Sequence, residues 1–132
     1  VLINPPFHDT ASDASPDAIK DKANRSREDL LERWVALAHK SLVPRGRITL
    51  IYRADRFDRV IAALMPRFQE TEVIPLWPKG GTAAKRVIVR GRRDVASPGQ
   101  IHPGLALHDP AGDLSAAARR ILEDGVPLAQ TL

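Results

Sequence analysis

Apolar residues recur at helical spacing from residue 30 to residue 42, where they form one wide stripe, and Pro44 and Gly46 follow as stop signals. This pattern predicts an amphipathic helix. The next run, RITLIY over residues 47–52, is short, mainly apolar and preceded by a turn signal. Such a run is typical of a strand that is covered on both faces.

A second helical stripe begins at Phe57 and repeats at i, i+3, i+4, i+7, i+8 and i+11 up to Phe68. Asp55 stands where a side chain that caps a helix N-terminus is expected. Pro66 lies inside the stripe and is expected to end or bend the helix, because proline has no N–H to donate. The stripe predicts a second amphipathic helix.

Two strands joined by a turn follow this helix. Residues 71–77 and 84–91 have strand character, and the intervening PKGGT contains a glycine pair that is typical of a tight turn. We expect an antiparallel hairpin. Pro75 indicates that the first of the two strands is an edge or bulged strand.

The two ends of the chain have weaker patterns. Residues 1–3 resemble the last residues of a buried strand, whereas residues 8–28 form a long polar stretch without a sustained period. Residues 96–112 are irregular, and an alanine-rich segment over residues 114–123 predicts a short helix that Gly125 closes.

The predicted elements follow one another as strand, long loop, helix, strand, helix and hairpin. Strands that alternate with helices predict an α/β fold with a mainly parallel sheet, flanking helices and a final antiparallel hairpin. We expect one domain over residues 1–132, with a polar loop at 8–28, a core at 29–95 and an extension at 96–132 that carries the short helix. In such sheets a ligand lies beyond the carboxyl ends of the strands.

Composition narrows the possible functions only a little. The 132 residues include no cysteine, which excludes disulfides, thiolate metal sites and cysteine nucleophiles and fits a reducing compartment. The four histidines show no ligand spacing, so we expect no metal site. Nothing in the sequence predicts export or a membrane span, and a cytoplasmic location is the default. A net charge of +4 mildly favours a polyanionic partner.

The tetrapeptide Asn4-Pro5-Pro6-Phe7 stands directly after the first predicted strand. The two prolines stiffen the turn and contribute no N–H groups. The side-chain oxygen of Asn4 and the carbonyl of Pro5 can therefore accept two hydrogen bonds from one planar amino group, while Phe7 stacks on the base that carries it. Held in this way, the nitrogen can direct its lone pair toward an electrophile, which is catalysis by positioning.

These residues resemble the [Asn/Asp]-Pro-Pro-[Phe/Tyr/Trp] motif of class I S-adenosylmethionine-dependent methyltransferases that modify exocyclic or amide nitrogens. Three further segments, LVPRGRITLIYR, VIPLWPKGGTAAKRVIVRGRR and LALHDPAGDLSAAARRIL, are similar to the bacterial group related to the valine tRNA adenine-N6 methyltransferase. The resemblance covers roughly residues 1–124. It implies a Rossmann-like methyltransferase fold in which Asn4, Pro5, Pro6 and Phe7 bind the acceptor amine.

The resemblance also implies what this chain lacks. In the family, a glycine-rich loop and an acidic strand end precede the motif and bind S-adenosyl-L-methionine, and neither is found here. The chain therefore resembles the C-terminal half of such an enzyme, with only Asn4 at the edge of the cofactor site. We expect the missing N-terminal half to be a partner, and the chain alone to be inactive and to bind the cofactor weakly or not at all.

The implied substrate is adenine N6 in tRNA, and basic residues could contact the RNA backbone. One group of cations lies in the long loop and consists of Lys20, Lys22, Arg25 and Arg27. A second group lies in the hairpin and consists of Lys79, Lys85 and Arg86, with Arg90, Arg92 and Arg93 following. For the hairpin group, an ordinary exposed charged face is the simpler interpretation.

Two alternatives remain open from the sequence. Related motifs occur in enzymes that methylate a glutamine side chain of a protein or a guanine amino group of rRNA. The chain could also be a non-catalytic RNA-binding or interaction module that retains the fold and the basic residues.

Overall fold

The computed structural model describes residues 1–4 and 30–131. Within them, six strands form one sheet and three α-helices pack on its faces. The strands are β1 (Leu2–Ile3), β2 (Arg47–Arg53), β3 (Gln69–Lys79), β4 (Arg86–Arg92), β5 (Gln100–Ile101) and β6 (Leu105–His108). The helices are α1 (30–41), α2 (Phe57–Leu64) and α3 (Ala116–Leu122), with 3-10 turns at Ala54–Arg56 and Leu128–Gln130.

The sheet is mixed: of its six described strands, five run in one direction and β4 runs against them. Neighbours run β1, β2, β4, β3, and both β5 and β6 lie along the outer edge of β3. β1 is parallel to β2, whereas β4 is antiparallel to both β2 and β3. The hairpin thus places its second strand between β2 and β3. β4 is therefore paired on both of its edges. Alternate residues of β4, including Val87 and Val89, are buried.

The sheet does not end at the hairpin. β5 and β6, which lie in the segment predicted to be irregular, both pair in parallel with β3. β3 is therefore not an edge strand, although its pairing with β4 is irregular between Gln69 and Glu72, as in a bulge. Pro75 lies where the outer neighbour of β3 changes from β5 to β6.

The sheet has a hydrophobic core on each face. The larger core lies between the sheet and the helices α1 and α2. Alternation along the strands sends the other set of side chains to the opposite face, where α3 covers them. The larger core consists of Leu31, Val35, Ala38, Ile48, Leu50, Val60, Ala63, Leu64, Phe68, Val87 and Val89, and the smaller one of Leu76, Leu105 and Ala118. None of the helices in the described residues is long and apolar enough to span a membrane.

Close packing around Phe68 explains one glycine of β4. A Cβ added at Gly91 would lie 2.9 Å from the Cβ of Phe68, which is 1% exposed. Carbon atoms at that distance overlap, so a larger residue would push Phe68 out of the core. The small residue at position 91 lets the chain that follows α2 approach the sheet.

The two later helices begin differently from each other. The sequence predicted that Asp55 caps α2, but it does not. The chain first forms a 3-10 turn, and the helix begins after Arg56 without a side-chain cap. The helix ends at Leu64, before Pro66. By contrast, α3 is capped by Ser115, whose hydroxyl oxygen accepts a hydrogen bond from the Ala118 N–H at 3.1 Å.

Candidate functional site

Several strand ends meet at one edge of the sheet, which we call the carboxyl edge. β1, β2, β3 and β6 run in the same direction and end there, whereas the antiparallel β4 begins there. The carboxyl edge therefore brings together the residues at these ends: Asn4, Arg53, Lys79, Arg86 and His108.

Asn4 is exposed and follows β1 directly. β1 is held against β2 by the register of Ile3 with Leu50 and by a hydrogen bond in which the N–H of Thr49 donates to the Val1 carbonyl at 2.8 Å. Ile3 also packs against the larger core. A short strand that is paired with β2 thus delivers Asn4 to the carboxyl edge, where a ligand is expected in an α/β sheet.

The other residues of the predicted amine site lie outside the described residues, as does the first group of basic residues. They remain sequence-based predictions: Pro5, Pro6, Phe7, Lys20, Lys22, Arg25 and Arg27.

The turn between β3 and β4 carries the second predicted group, Lys79, Lys85 and Arg86. The hydroxyl of Thr82 donates to the Lys79 carbonyl at 2.7 Å and holds the turn. Lys79 and Lys85 are exposed, and their ammonium groups form no ion pair with any residue of the described ranges. Arg86 is half-buried, and its Nη1 donates to the Lys85 carbonyl at 3.2 Å. These three cations lie on the same edge as Asn4.

Two further cations of β4, Arg90 and Arg92, form ion pairs with glutamates of β3. Arg90 contacts Glu72 at 3.4 Å and Arg92 contacts Glu70 at 3.3 Å, in both cases across the β3–β4 pairing. All four of these side chains are at least partly buried. The sequence presents one basic cluster, but the structure divides it into a neutralised part and an exposed part.

Arg93 differs from the other cations, because it donates hydrogen bonds to backbone carbonyls at the end of α1. Its Nη1 donates to the carbonyl of His39 at 2.8 Å and to that of Leu42 at 2.5 Å. The last carbonyls of a helix have no partner within it, so this guanidinium supplies the hydrogen bonds that α1 lacks at its C-terminus.

The sequence did not single out a pair of residues at the end of β2. Arg53 donates from Nε to Asp55 Oδ1 at 2.9 Å and from Nη2 to Oδ2 at 2.6 Å. The hydrogen bond from Arg53 lowers the pKa of the Asp55 carboxyl below its ordinary value. The Arg-x-Asp spacing was visible in the sequence, but the position of Arg53 beside Arg86 depends on strand pairing and was not.

The described residues do not fit S-adenosylmethionine as a complete site. No described glycine belongs to a loop that cradles a ligand between a strand and a helix. One cavity of about 210 Å³ lies beside β1, lined mainly by apolar residues: Val1, Ile3, Trp34, Leu37, Ala38 and Ser41. Such a lining offers no partner for the charged methionine part of the cofactor.

Metal ligands do not cluster in the part of the chain that is described. No group of three or more histidine, aspartate or glutamate side chains there is placed to hold a metal ion.

Comparison with known proteins supports the fold. The chain is similar to the crystal structure of a predicted O-methyltransferase, protein Atu636 from Agrobacterium tumefaciens, with a TM-score of 0.70 and 21% sequence identity. The match covers 91% of this chain and 48% of that one, so the chain spans about half the length of its structural neighbour. No family model and no curated protein matches the sequence. The chain thus has an α/β fold of the kind found in a methyltransferase-like protein.

Proposed function

We propose that this chain is the acceptor half of an S-adenosylmethionine-dependent N-methyltransferase that acts on an exocyclic amino group, adenine N6 in tRNA. The observation that carries the proposal is the position of Asn4. It begins the Asn-Pro-Pro-Phe sequence and lies at the carboxyl edge of a sheet that is similar to part of a methyltransferase-like structure.

The acceptor chemistry requires no strong base. In the proposed site, the side-chain oxygen of Asn4 and the carbonyl of Pro5 accept hydrogen bonds from the two hydrogens of the amino group. Pro6 stiffens the turn and Phe7 stacks on the base. These contacts withdraw the nitrogen lone pair from the ring and direct it toward the methyl donor, which raises the rate by positioning.

An RNA substrate is supported by the charge of the carboxyl edge. Lys79, Lys85 and Arg86 lie there with Asn4, and no acidic residue occurs between residues 73 and 93. Exposed cations beside an acceptor site can bind backbone phosphates while the target base enters it. We assign the loop cations Lys20, Lys22, Arg25 and Arg27 the same role.

The cofactor-binding half is proposed to pack against the outer edge of β1. No described strand pairs there, and Leu2 and Leu37 are 75% and 63% exposed next to the apolar cavity. Unpaired strand edges and adjoining apolar side chains are stabilised when another part of a sheet covers them. Without that half, the chain is expected to show little or no affinity for S-adenosylmethionine in calorimetry.

The proposal is tested by transfer of labelled methyl to total tRNA by the chain combined with its cofactor-binding half. Asn4→Ala is expected to reduce the rate constant by at least about 100-fold, because it removes one of two acceptors that position the amine. Lys40→Ala, an exposed change on α1, is the control and is expected to leave the rate unchanged. Undiminished labelling with Asn4→Ala would contradict the assigned role.

The labelled product also identifies the acceptor. Nucleoside analysis that finds N6-methyladenosine supports the proposal, whereas methylguanosine would keep the reaction class and change the acceptor.

A non-catalytic RNA-binding module is a second candidate, favoured by the basic carboxyl edge. It predicts RNA binding that weakens with salt and no affinity for S-adenosylmethionine, even when the chain is combined with its partner half.

A further inference from the structure

Phe57 is an aromatic side chain that the sequence assigned to an apolar helical stripe and that the structure leaves half exposed. Other members of the stripe, Val60, Leu64 and Phe68, are at most 1% exposed, whereas Phe57 is 50% exposed. Its ring makes no contact with another aromatic ring of the described residues. A single exposed apolar side chain is ordinary in proteins, so its position in the fold decides whether it has a function.

The backbone places Phe57 at the carboxyl edge. β2 ends there at Arg53, the 3-10 turn Ala54–Arg56 follows, and Phe57 is the first residue of α2. The N–H of Ala54 donates to the Lys85 carbonyl at 3.1 Å, which ties this turn to the start of β4. Phe57 is thereby held on the same edge as the exposed Lys85.

Asn4 lies at the same edge, on the neighbouring strand. The register of Ile3 with Leu50 continues to Asn4 beside Ile51. From Ile51, three extended steps and the 3-10 turn lead to Phe57, a path of about 16 Å at most. A nucleotide whose base is held by Asn4 therefore has its neighbour in the chain within reach of the Phe57 ring.

The charges around Phe57 favour a polyanion. Lys79 and Lys85 are exposed on this edge, and neither ammonium group forms an ion pair with a described residue. The two carboxylates nearest to Phe57 in the chain, those of Asp55 and Asp58, are each paired with an arginine. An exposed aromatic ring among cations is the combination that binds unpaired nucleotides.

The proposed cofactor-binding half does not require this ring. That half is assigned to the outer edge of β1, whereas α2 packs against β2 and β4. An interface on the β1 edge is thus made by other residues, and Phe57 is left for the substrate.

We propose that Phe57 stacks on the base of a nucleotide next to the target nucleotide, while Lys85 binds a phosphate beside it; this inference rests on the proposed function, in which the substrate is RNA. Stacking on an aromatic side chain needs only a flat face, so it accepts any base. The neighbouring nucleotide must be unpaired, as in a loop, because its base has to leave the stack. Phe57 becomes a substrate-binding residue that selects adenines in unpaired segments.

The test measures binding of an unmodified tRNA transcript to the full chain at several salt concentrations by fluorescence anisotropy. Phe57→Ala is expected to weaken binding about tenfold and to leave the salt slope unchanged, because it removes a stacking contact and no charge. Lys85→Ala is expected to reduce the salt slope by up to about 0.7, the value for one phosphate of a single strand. The matched control is Met65→Ala, which truncates a 66% exposed apolar side chain at the other end of α2 and is expected to bind as the wild type does.

Substitutions at position 57 separate stacking from a general apolar contact. Phe57→Trp keeps an aromatic face and is expected to bind about as tightly as the wild type, whereas Phe57→Leu is expected to be as weak as Phe57→Ala. Circular dichroism identifies any variant that does not fold. Wild-type affinity of Phe57→Leu, or equal losses for Phe57→Ala and Met65→Ala, would overturn the stacking role.

An altered RNA locates the contact. In an oligoribonucleotide loop that carries the target adenine, an abasic nucleotide next to the target is expected to weaken wild-type binding about tenfold. It is expected to have little effect on Phe57→Ala, since both changes remove the same contact. Losses that add in full at each neighbouring position would contradict the proposal.

These binding measurements do not depend on methyl transfer. Methylation that is independent of Asn4 would refute the proposed acceptor site and leave the effect of Phe57→Ala on RNA binding standing. Equal binding by the wild type and Phe57→Ala would refute the stacking role alone. A wild-type chain that binds no RNA would overturn the RNA substrate and the stacking role together.

Discussion

Individual ion pairs at the carboxyl edge differ in what they contribute. The Arg53–Asp55 pair is short but its side chains are 38% and 57% exposed, so water screens the attraction and its contribution to stability is small. Its geometric effect is larger, because the two-point hydrogen bond fixes the guanidinium of Arg53 beside Arg86. Asp55 therefore contributes more to the position of the Arg53 side chain than to the stability of the fold.

Asp55→Asn is expected to lower the free energy of unfolding by less than about 1 kcal/mol at pH 7. The pKa of Asp55 is lowered in the folded state by its hydrogen bond with Arg53. The stabilisation is thus complete above the ordinary pKa of 3.8 and disappears as the pH falls through the lower folded value. Urea unfolding at pH 7 and below pH 3 measures this difference.

The control is Asp124→Asn, an exposed aspartate near the end of α3. It is expected to change stability little at either pH. A difference for Asp55→Asn that persists unchanged in acid would show that the carboxylate is not the stabilising group.

At the scale of elements, α1 is tied to the end of β4 by one side chain. Arg93 follows β4, and its Nη1 donates to the carbonyls of His39 and Leu42 at the C-terminus of α1. Backbone hydrogen bonds between Arg45 and Arg93 and between Arg93 and Gly46 join the same segments. Arg93 therefore belongs to the structure of the fold, although the sequence placed it with the RNA-binding candidates.

Arg93→Ala is expected to destabilise the chain by about 1–3 kcal/mol, because it leaves carbonyls at the end of α1 without a partner. Arg120→Ala, which removes an exposed charge, is the control. Thermal unfolding followed by circular dichroism measures both. RNA binding is expected to be retained by folded Arg93→Ala, and a loss of binding without a loss of stability would place Arg93 in the RNA site.

On the scale of the whole molecule, apolar residues are left exposed at one side of the sheet. Val1 and Leu2 of the β1 segment are 49% and 75% exposed, and Leu37 of α1 adds to the same surface around the cavity. An open strand edge with apolar neighbours is a template for pairing with another chain. The same surface that we propose for the cofactor-binding half is expected to favour self-association when that half is missing.

Leu2→Lys is expected to reduce concentration-dependent association of the chain, because a charge on an edge strand opposes edge-to-edge pairing. Leu122→Lys is the matched control, since Leu122 is 67% exposed at the end of α3 and far along the chain from β1. Light scattering over a concentration series measures the effect. Equal reduction by both substitutions would show that general charge, and not the β1 edge, controls association.

Periodicity along the chain was enough to predict α1, α2, β2 and the two hairpin strands to within a few residues. These elements depend on which residues must be buried, and burial leaves a local pattern of period 2 or 3.6. β5 and β6 were missed, since two and four residues are too short to show a period and they pair only because β3 offers its outer edge.

The sequence by itself determined the α/β class, the two amphipathic helices and the Asn-Pro-Pro-Phe segment after the first strand. Only the tertiary structure decided that β4 lies between β2 and β3. That placement sets Arg53 against Arg86 and gives Arg90 and Arg92 their glutamates, thereby dividing one run of cations into two groups. Strand order depends on contacts between residues far apart in the chain, and no local pattern records them.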